Sequence, residues 1–150
     1  MKTKKKHTPE GKIQSRIMLA VGSLPGVVVQ RNTVGSYRER NGWITYGLGT
    51  GSPDIVGWIM LKNEGVTVPV TIGIEVKTPR GKVSKDQAQW HRAAERNGVA
   101  VGVCRNSLDA LTYVQGQIAR FGTAGLAADE TLRTRLAQAI ADHTKKEPKR

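Results

Sequence analysis

At 150 residues the chain is long enough for one domain with a hydrophobic core and too short for two. Its 24 Lys and Arg outnumber 12 Asp and Glu, and the formal charge of +12 favours a polyanionic partner such as nucleic acid, with simple solubility as the plainer explanation. One cysteine excludes an intrachain disulfide, three scattered histidines exclude a Cys/His zinc cluster, and no segment is apolar for long enough to span a bilayer.

Part of the positive charge stands in terminal runs, Lys2 to Lys6 and Lys145 to Arg150, which are expected to be solvated tails. The rest is internal, at Arg31, Arg38, Arg40, Lys77, Arg80, Lys82, Lys85, Arg92 and Arg96. After the first run, Thr8 as N-cap, Pro9 at the first helical position and Glu10 in the first turn open a helix. Ile13, Ile17, Ala20, Val21 and Leu24 then recur at helical spacing, so the helix is predicted over Pro9 to Gly22. The polar stretch Gly11 to Arg16 and the Pro25-Gly26 break argue against a signal peptide, and an intracellular protein is expected. Val27 to Gln30 is a β-branched run suited to a strand. Arg31 to Ser52 holds Gly35, Gly42, Gly47, Gly49 and Gly51 and reads as a long glycine-rich connection, either functional or an ordinary flexible loop. It lacks the Gly-Lys-Ser/Thr of a Walker loop.

Two strand-like segments follow, Gly51 to Leu61 and Val68 to Lys77. Alternation along a strand puts Glu75 and Lys77 on one face, about 6–7 Å apart. Asp54 lies ten residues before Glu64 and Glu75 ten residues after Gly65, so a hairpin turning symmetrically about Glu64-Gly65 sets the two acids opposite each other. Directly opposed Cβ atoms stand about 4.5–5.5 Å apart. Two carboxylates held that close either raise one pKa or take up a cation. Pro69 and Gly73 are the positions where a bulge would shift this register.

Downstream, Ser84-Lys85-Asp86-Gln87 is a capping-box pattern opening a helix that reaches Asn97, with Gly98 as its αL cap. Val99 to Cys104 reads as a strand in which Cys104 is a small buried hydrophobe. A helix from Ser107 or Leu108 to Arg120 and a break at Phe121 to Gly125 precede an amphipathic stretch, Asp129 to His143. Its apolar face, Leu132, Leu136, Ala139 and Ile140, has to be buried on the core or on a second subunit. The order of elements is that of an α/β domain, a small mixed β-sheet flanked by helices.

Taken together, Glu10, Gly51-Ser52-Pro53-Asp54, Glu75-Val76-Lys77, Thr78-Pro79-Arg80-Gly81 and Ser84-Lys85-Asp86-Gln87 resemble the virus-type replication-repair nuclease (VRR-NUC) domain, a branch of the PD-(D/E)XK phosphodiesterase superfamily, over about residues 8–110. The resemblance implies a restriction-endonuclease-like core at residues 8–120, a C-terminal helical extension at 121–144, and basic tails at 1–7 and 145–150. It implies Mg²⁺, with Mn²⁺ as a substitute, held by Asp54, Glu75, the Val76 carbonyl and, directly or through water, Glu10. Lys77 would orient the attacking water and stabilise the transition state. Arg31 and Asn32 resemble the family's phosphate-holding Arg-Asn pair, and Arg80, Lys82, Lys85 and His91 are expected on the DNA.

Each residue also has a plainer role. A Glu-x-Lys pair is ordinarily a solvated strand face, Glu10 complements a helix dipole, and Gln87 either supports the site or only caps its helix. Trp43, Trp58 and Trp90 suit base stacking, but Trp58 and Trp90 are better placed for core packing. The expected function is a metal-dependent DNA endonuclease leaving 5′-phosphate and 3′-hydroxyl ends. The resemblance further implies a homodimeric, Holliday-junction-type resolvase of replication, repair or recombination, in a bacterium or a phage-infected host. The alternatives are a monomeric flap or other structure-selective nuclease, a non-catalytic DNA-binding module, and a restriction endonuclease reading bases through the Arg31 to Ser52 loop.

Overall fold

The computed structural model describes residues 8–146, so the expectations for 1–7 and 147–150 lie outside the described residues. Helix α1 (Pro9–Gly22) starts where the cap signals place it, with the Thr8 hydroxyl accepting from the Gly11 N–H at 3.1 Å. It leads into β1 (Val27–Arg31). Next come β2 (Gly35–Glu39), β3 (Gly42–Tyr46), β4 (Ile55–Asn63) and β5 (Val66–Val76), then α2 (Lys85–Arg96), β6 (Val101–Cys104), α3 (Ser107–Gly122) and α4 (Glu130–Lys146). Lys145 and Lys146 therefore end a helix and do not begin a tail.

The main sheet has the order β1-β4-β5-β6, antiparallel except for the parallel β5–β6 pair, which makes it mixed. The β4–β5 hairpin turns at Glu64 and Gly65, whose φ angles of 48° and 83° are the left-handed pair that a tight two-residue hairpin turn demands. Its register runs unbroken from Asn63↔Val66 to Ile55↔Ile74, so neither Pro69 nor Gly73 inserts a bulge. Met60, opposite Pro69, sends its N–H to the Gly26 carbonyl on the β1 side at 2.7 Å. Pro69 thus occupies a pair without ladder hydrogen bonds, and its ring nitrogen faces the outer edge of β5, where β6 pairs only with Gly73 to Val76.

Alternation along the central strands divides the residues cleanly. Ile55, Ile59 and Leu61 of β4 and Val70, Ile72, Ile74 and Val76 of β5 are buried against α1, α3 and α4, forming one core with Ile17, Val21, Leu111 and Val114. Gly57 is needed there, because a Cβ would collide with the Val28 carbonyl of the neighbouring strand. Cys104 is 1 % exposed and burial pushes its thiol up to about 12, as suits an inert core residue.

One expectation changes, and one open alternative is decided. The stretch Arg31 to Ser52 is not a plain connection, because β2 and β3 pair antiparallel within it as a separate two-stranded sheet. Its strands carry no buried side of their own, so the alternation that betrays a half-buried strand is missing. The apolar face of α4 packs on the chain's own core, Leu132 at 1 % and Leu136 at 4 % exposure, and a two-bond bridge between Lys62 and Ala127 ties the start of that segment to β4. That stripe is therefore not free to hold a second subunit.

Leu132→Ala is expected to lower stability by about 2–5 kcal/mol, the cost of an unfilled core site. Chemical denaturation would show this as a lower midpoint, with the solution mass unchanged by light scattering.

Candidate active site

On the face of β5 turned away from the core stand Glu75 and, one step past the strand end, Lys77. The Lys77 N–H continues the parallel ladder by donating to the Cys104 carbonyl at 3.0 Å, which fixes the direction of its side chain. Asp54 sits immediately before β4, where the hairpin register carries it across from Glu75. Its carbonyl accepts from the Asn32 N–H at 2.8 Å and from Gln14 Nε2 at 3.0 Å, while its Oδ2 accepts from the Val76 N–H at 2.8 Å. Asp54 is thus held through its main-chain carbonyl by α1 and by the residue that follows β1, and through its carboxylate by β5.

Helix α2 covers the other acid. Its capping box is complete: the Ser84 hydroxyl accepts from the Gln87 N–H, and Gln87 Oε1 accepts from the Ser84 N–H at 2.9 Å. The same Gln87 side chain donates through Nε2 to Glu75 Oε1 at 2.5 Å, so capping and contact with the acid are performed together. Gly51, at φ +85°, lets the approach to Asp54 run directly against the first turn of α2, since any Cβ there would collide with the Asp86 carbonyl. Arg105 clamps the loop after Lys77, with Nη1 donating to the Thr78 carbonyl and, at 2.9 Å, to that of Gly81.

The electrostatics follow from this enclosure. Glu75 is 0 % exposed, and its carboxyl is pushed up from 4.5 to about 7, chiefly by burial and further by the Asp54 carboxylate. Lys77 opposes that shift, with Nζ 2.6 Å from Glu75 Oε1. The second oxygen, Oε2, is buried without a hydrogen-bond partner, and so is His91 Nε2, 3.8 Å away. His91 is held below its ordinary value by burial and by Lys77, which favours the neutral ring.

A buried acid with one oxygen lacking a hydrogen bond and a second carboxylate nearby is costly unless a proton or a cation compensates the charge. Among the described residues no three His, Cys, Asp or Glu side chains gather into a ready cage. A pair of carboxylates without a cage suits a hard ion such as Mg²⁺, which keeps most of its waters, so the residues present fit that group.

The other expected site residues divide. Arg80, Lys82 and Lys85, in and after the loop that follows Lys77, are exposed, and so is Arg31 at the end of β1. Glu10 is exposed, one helical turn before Gln14. Asn32 is corrected: both of its amide donors are engaged, by Ser52 Oγ and the Pro53 carbonyl at 2.8 Å each, and its Oδ1 accepts from the Leu48 N–H. It positions the Pro53-Asp54 backbone and has no donor left for a phosphate. His91 turns toward Glu75, with Nε2 3.8 Å from Oε2. Trp58 and Trp90 are not core residues; they line an open, largely apolar groove of about 500 Å³ on the same sheet face, beside Gly73.

Gln14 and Arg105 are contacts that sequence reasoning misses. Gln14 interrupts the apolar side of α1 between Ile13 and Ile17, a signal visible in the pattern, whereas nothing in the spacing of Arg105 announces its reach back to Thr78.

The raised Glu75 carboxyl sets a sign for pH. Its contribution to stability is complete below 4.5 and lost as pH rises through about 7. In metal-free buffer the thermal midpoint should fall over that window, Glu75→Gln should flatten the fall, and Mg²⁺ should raise the midpoint more on the alkaline side, where it no longer competes with a proton.

The VRR-NUC domain family model matches residues 13–108, which takes in Asp54, Glu75, Lys77, Gln87 and His91 and leaves out Glu10 and α4. No curated protein and no solved structure matches the chain. With well over half of its length matched, and with the mixed sheet, flanking helices and paired acids compatible with a restriction-endonuclease-like core, the chain belongs to the VRR-NUC family of nucleases.

Proposed function

We propose that this protein is a Mg²⁺- or Mn²⁺-dependent DNA endonuclease acting on branched or otherwise structured DNA. The observation that carries the reading is the buried Glu75 carboxyl, raised in part by Asp54, with Lys77 Nζ on its Oε1 and its Oε2 left without a hydrogen bond. A DNA-binding module has no use for two opposed acids where a phosphate must approach.

Asp54 and Glu75, with the Val76 carbonyl and Glu10 as further candidates, would hold the ion. When bound it supplies positive charge to the phosphate and acidifies water. The chain's own groups do the remainder. Val76 and Asn32 keep Asp54 in place, and Gln87 holds Glu75 through Oε1, leaving Oε2 without a hydrogen bond. Lys77, 8 % exposed, brings its charge and N–H donors to an attacking water and to the phosphate oxygens. Water adds to phosphorus, the bond to the 3′ oxygen breaks, and 5′-phosphate and 3′-hydroxyl ends result. Arg31, Arg80, Lys82 and Lys85 supply sequence-independent attraction to the backbone.

Between a two-fold junction resolvase and a monomer acting on flaps, burial of the α4 stripe favours the monomer, because a surface that could have joined a second subunit is covered by the chain's own core.

Asp54→Asn, Glu75→Gln and Lys77→Ala should each reduce cleavage of a branched oligonucleotide by at least about 10²-fold, with DNA binding largely kept. A wild-type rate in any one removes that residue from the mechanism. Binding in EDTA should weaken along a straight line of log affinity against log salt, since neutralised phosphates release counterions. A flat line would reject the electrostatic contact.

A further inference from the structure

The β2–β3 hairpin forms no strand pairing with the main sheet and is exposed at nine of its ten residues. A lone two-stranded ribbon is marginal in water. This one nevertheless displays Tyr37, Trp43 and Tyr46 at 51 %, 68 % and 47 % exposure. Its register gives the two faces different characters. Tyr37, Ile44 and Tyr46 share one face, while Arg38 stands directly opposite Trp43 on the other, flanked by the Ser36–Thr45 pair. Arg40 is at the turn.

The roots of the hairpin are fixed at the active site. Asn32, just before it, binds Ser52 and the backbone of Pro53 and Asp54, and Leu48, just after it, donates to the Asn32 side chain at 3.3 Å. The ribbon therefore projects from the backbone that carries the metal-site aspartate.

We infer that the hairpin is the arm that grips DNA beside the cleavage site, with Trp43 stacking on an unpaired base and Arg38 and Arg40 meeting phosphates. This rests on the DNA-cleaving reading above. Aromatic side chains interleaved with arginines are the chemistry of single-stranded DNA contact, and branched substrates offer unstacked bases at their forks. Charge decides against a second copy as occupant: with +12 on each chain, two copies repel each other while DNA is attracted.

The test uses the full chain in EDTA and a fluorescent forked oligonucleotide, comparing wild type with Trp43→Ala, Trp43→Phe and Arg38→Ala/Arg40→Ala. These positions are exposed, and thermal melts would verify that each variant folds. Trp43→Ala is expected to weaken binding by about 5- to 100-fold. The double arginine variant should lower the slope of log affinity against log salt by about 1.4 to 1.8. Tryptophan emission of the wild type should change on binding DNA, and Trp43→Phe should lose that change. Wild-type affinity and slope in the variants overturn the arm. So does a variant that falls from dimer to monomer by light scattering with its affinity per site intact, which would assign the hairpin to a second copy. If the wild type binds DNA through Trp43 but cleaves nothing with Mg²⁺ or Mn²⁺, the nuclease reading fails while the arm stands. If it cleaves while the hairpin variants bind normally, only the arm fails.

Discussion

The pairing register of β4 with β5 is the constraint on which core and site both depend. Side chains alternate with period two, so a slip of one residue would exchange the two faces of the sheet. In the register observed, Ile55, Ile59, Ile72 and Ile74 meet the helices while Glu75 and Lys77 meet α2 on the other side. The slip is opposed by the whole hydrophobic core and by the positive φ of Glu64 and Gly65 at the turn. The acids are thereby held together by packing energy generated elsewhere. This is how a protein sustains a buried carboxylate that is unfavourable by itself.

Helix α2 stands in the reverse relation to the site. It has no fully buried residue; Gln87 and His91 meet Glu75, its first turn lies against Gly51, and Ala88, Trp90 and Ala94 are only half-buried. An element with so little apolar burial belongs to the less stable part of a domain. The site thus helps to anchor the helix that encloses it, and Gln87 joins the two because one amide can donate to Glu75 while accepting from Ser84.

Legibility in the sequence tracks burial. Both ends of α1, the β4–β5 turn, the capping box of α2 and the strand at Cys104 are all readable, because each has a cap, a turn pair or an apolar period that burial enforces. The pairing of Asp54 with Glu75 is readable for the same reason, through symmetry about Glu64-Gly65. The β2–β3 hairpin is not, for its strands answer to no core; the Asn41-Gly42 dipeptide is its one local signal, and the surrounding glycines disguise it as loop. Asn32 and His91 are legible as polar residues near the site, yet their direction depends on tertiary contacts that spacing does not encode. The apolar stripe of α4 is plain in the sequence, but which surface covers it is decided only by how α3 and β4 are placed.

One proline has a consequence for the molecule's behaviour in a crowded solution. From Val66 to Ile72 the outer edge of β5 has no neighbour among the described residues, and an open edge of that length is a template on which a foreign strand can extend the sheet. Pro69 lies midway along it with its ring nitrogen turned outward, so the edge presents an interrupted row of donors and a bulky ring where an incoming strand would need an N–H. The residue that a strand pattern tolerates least is thus what keeps this sheet from growing into its neighbours.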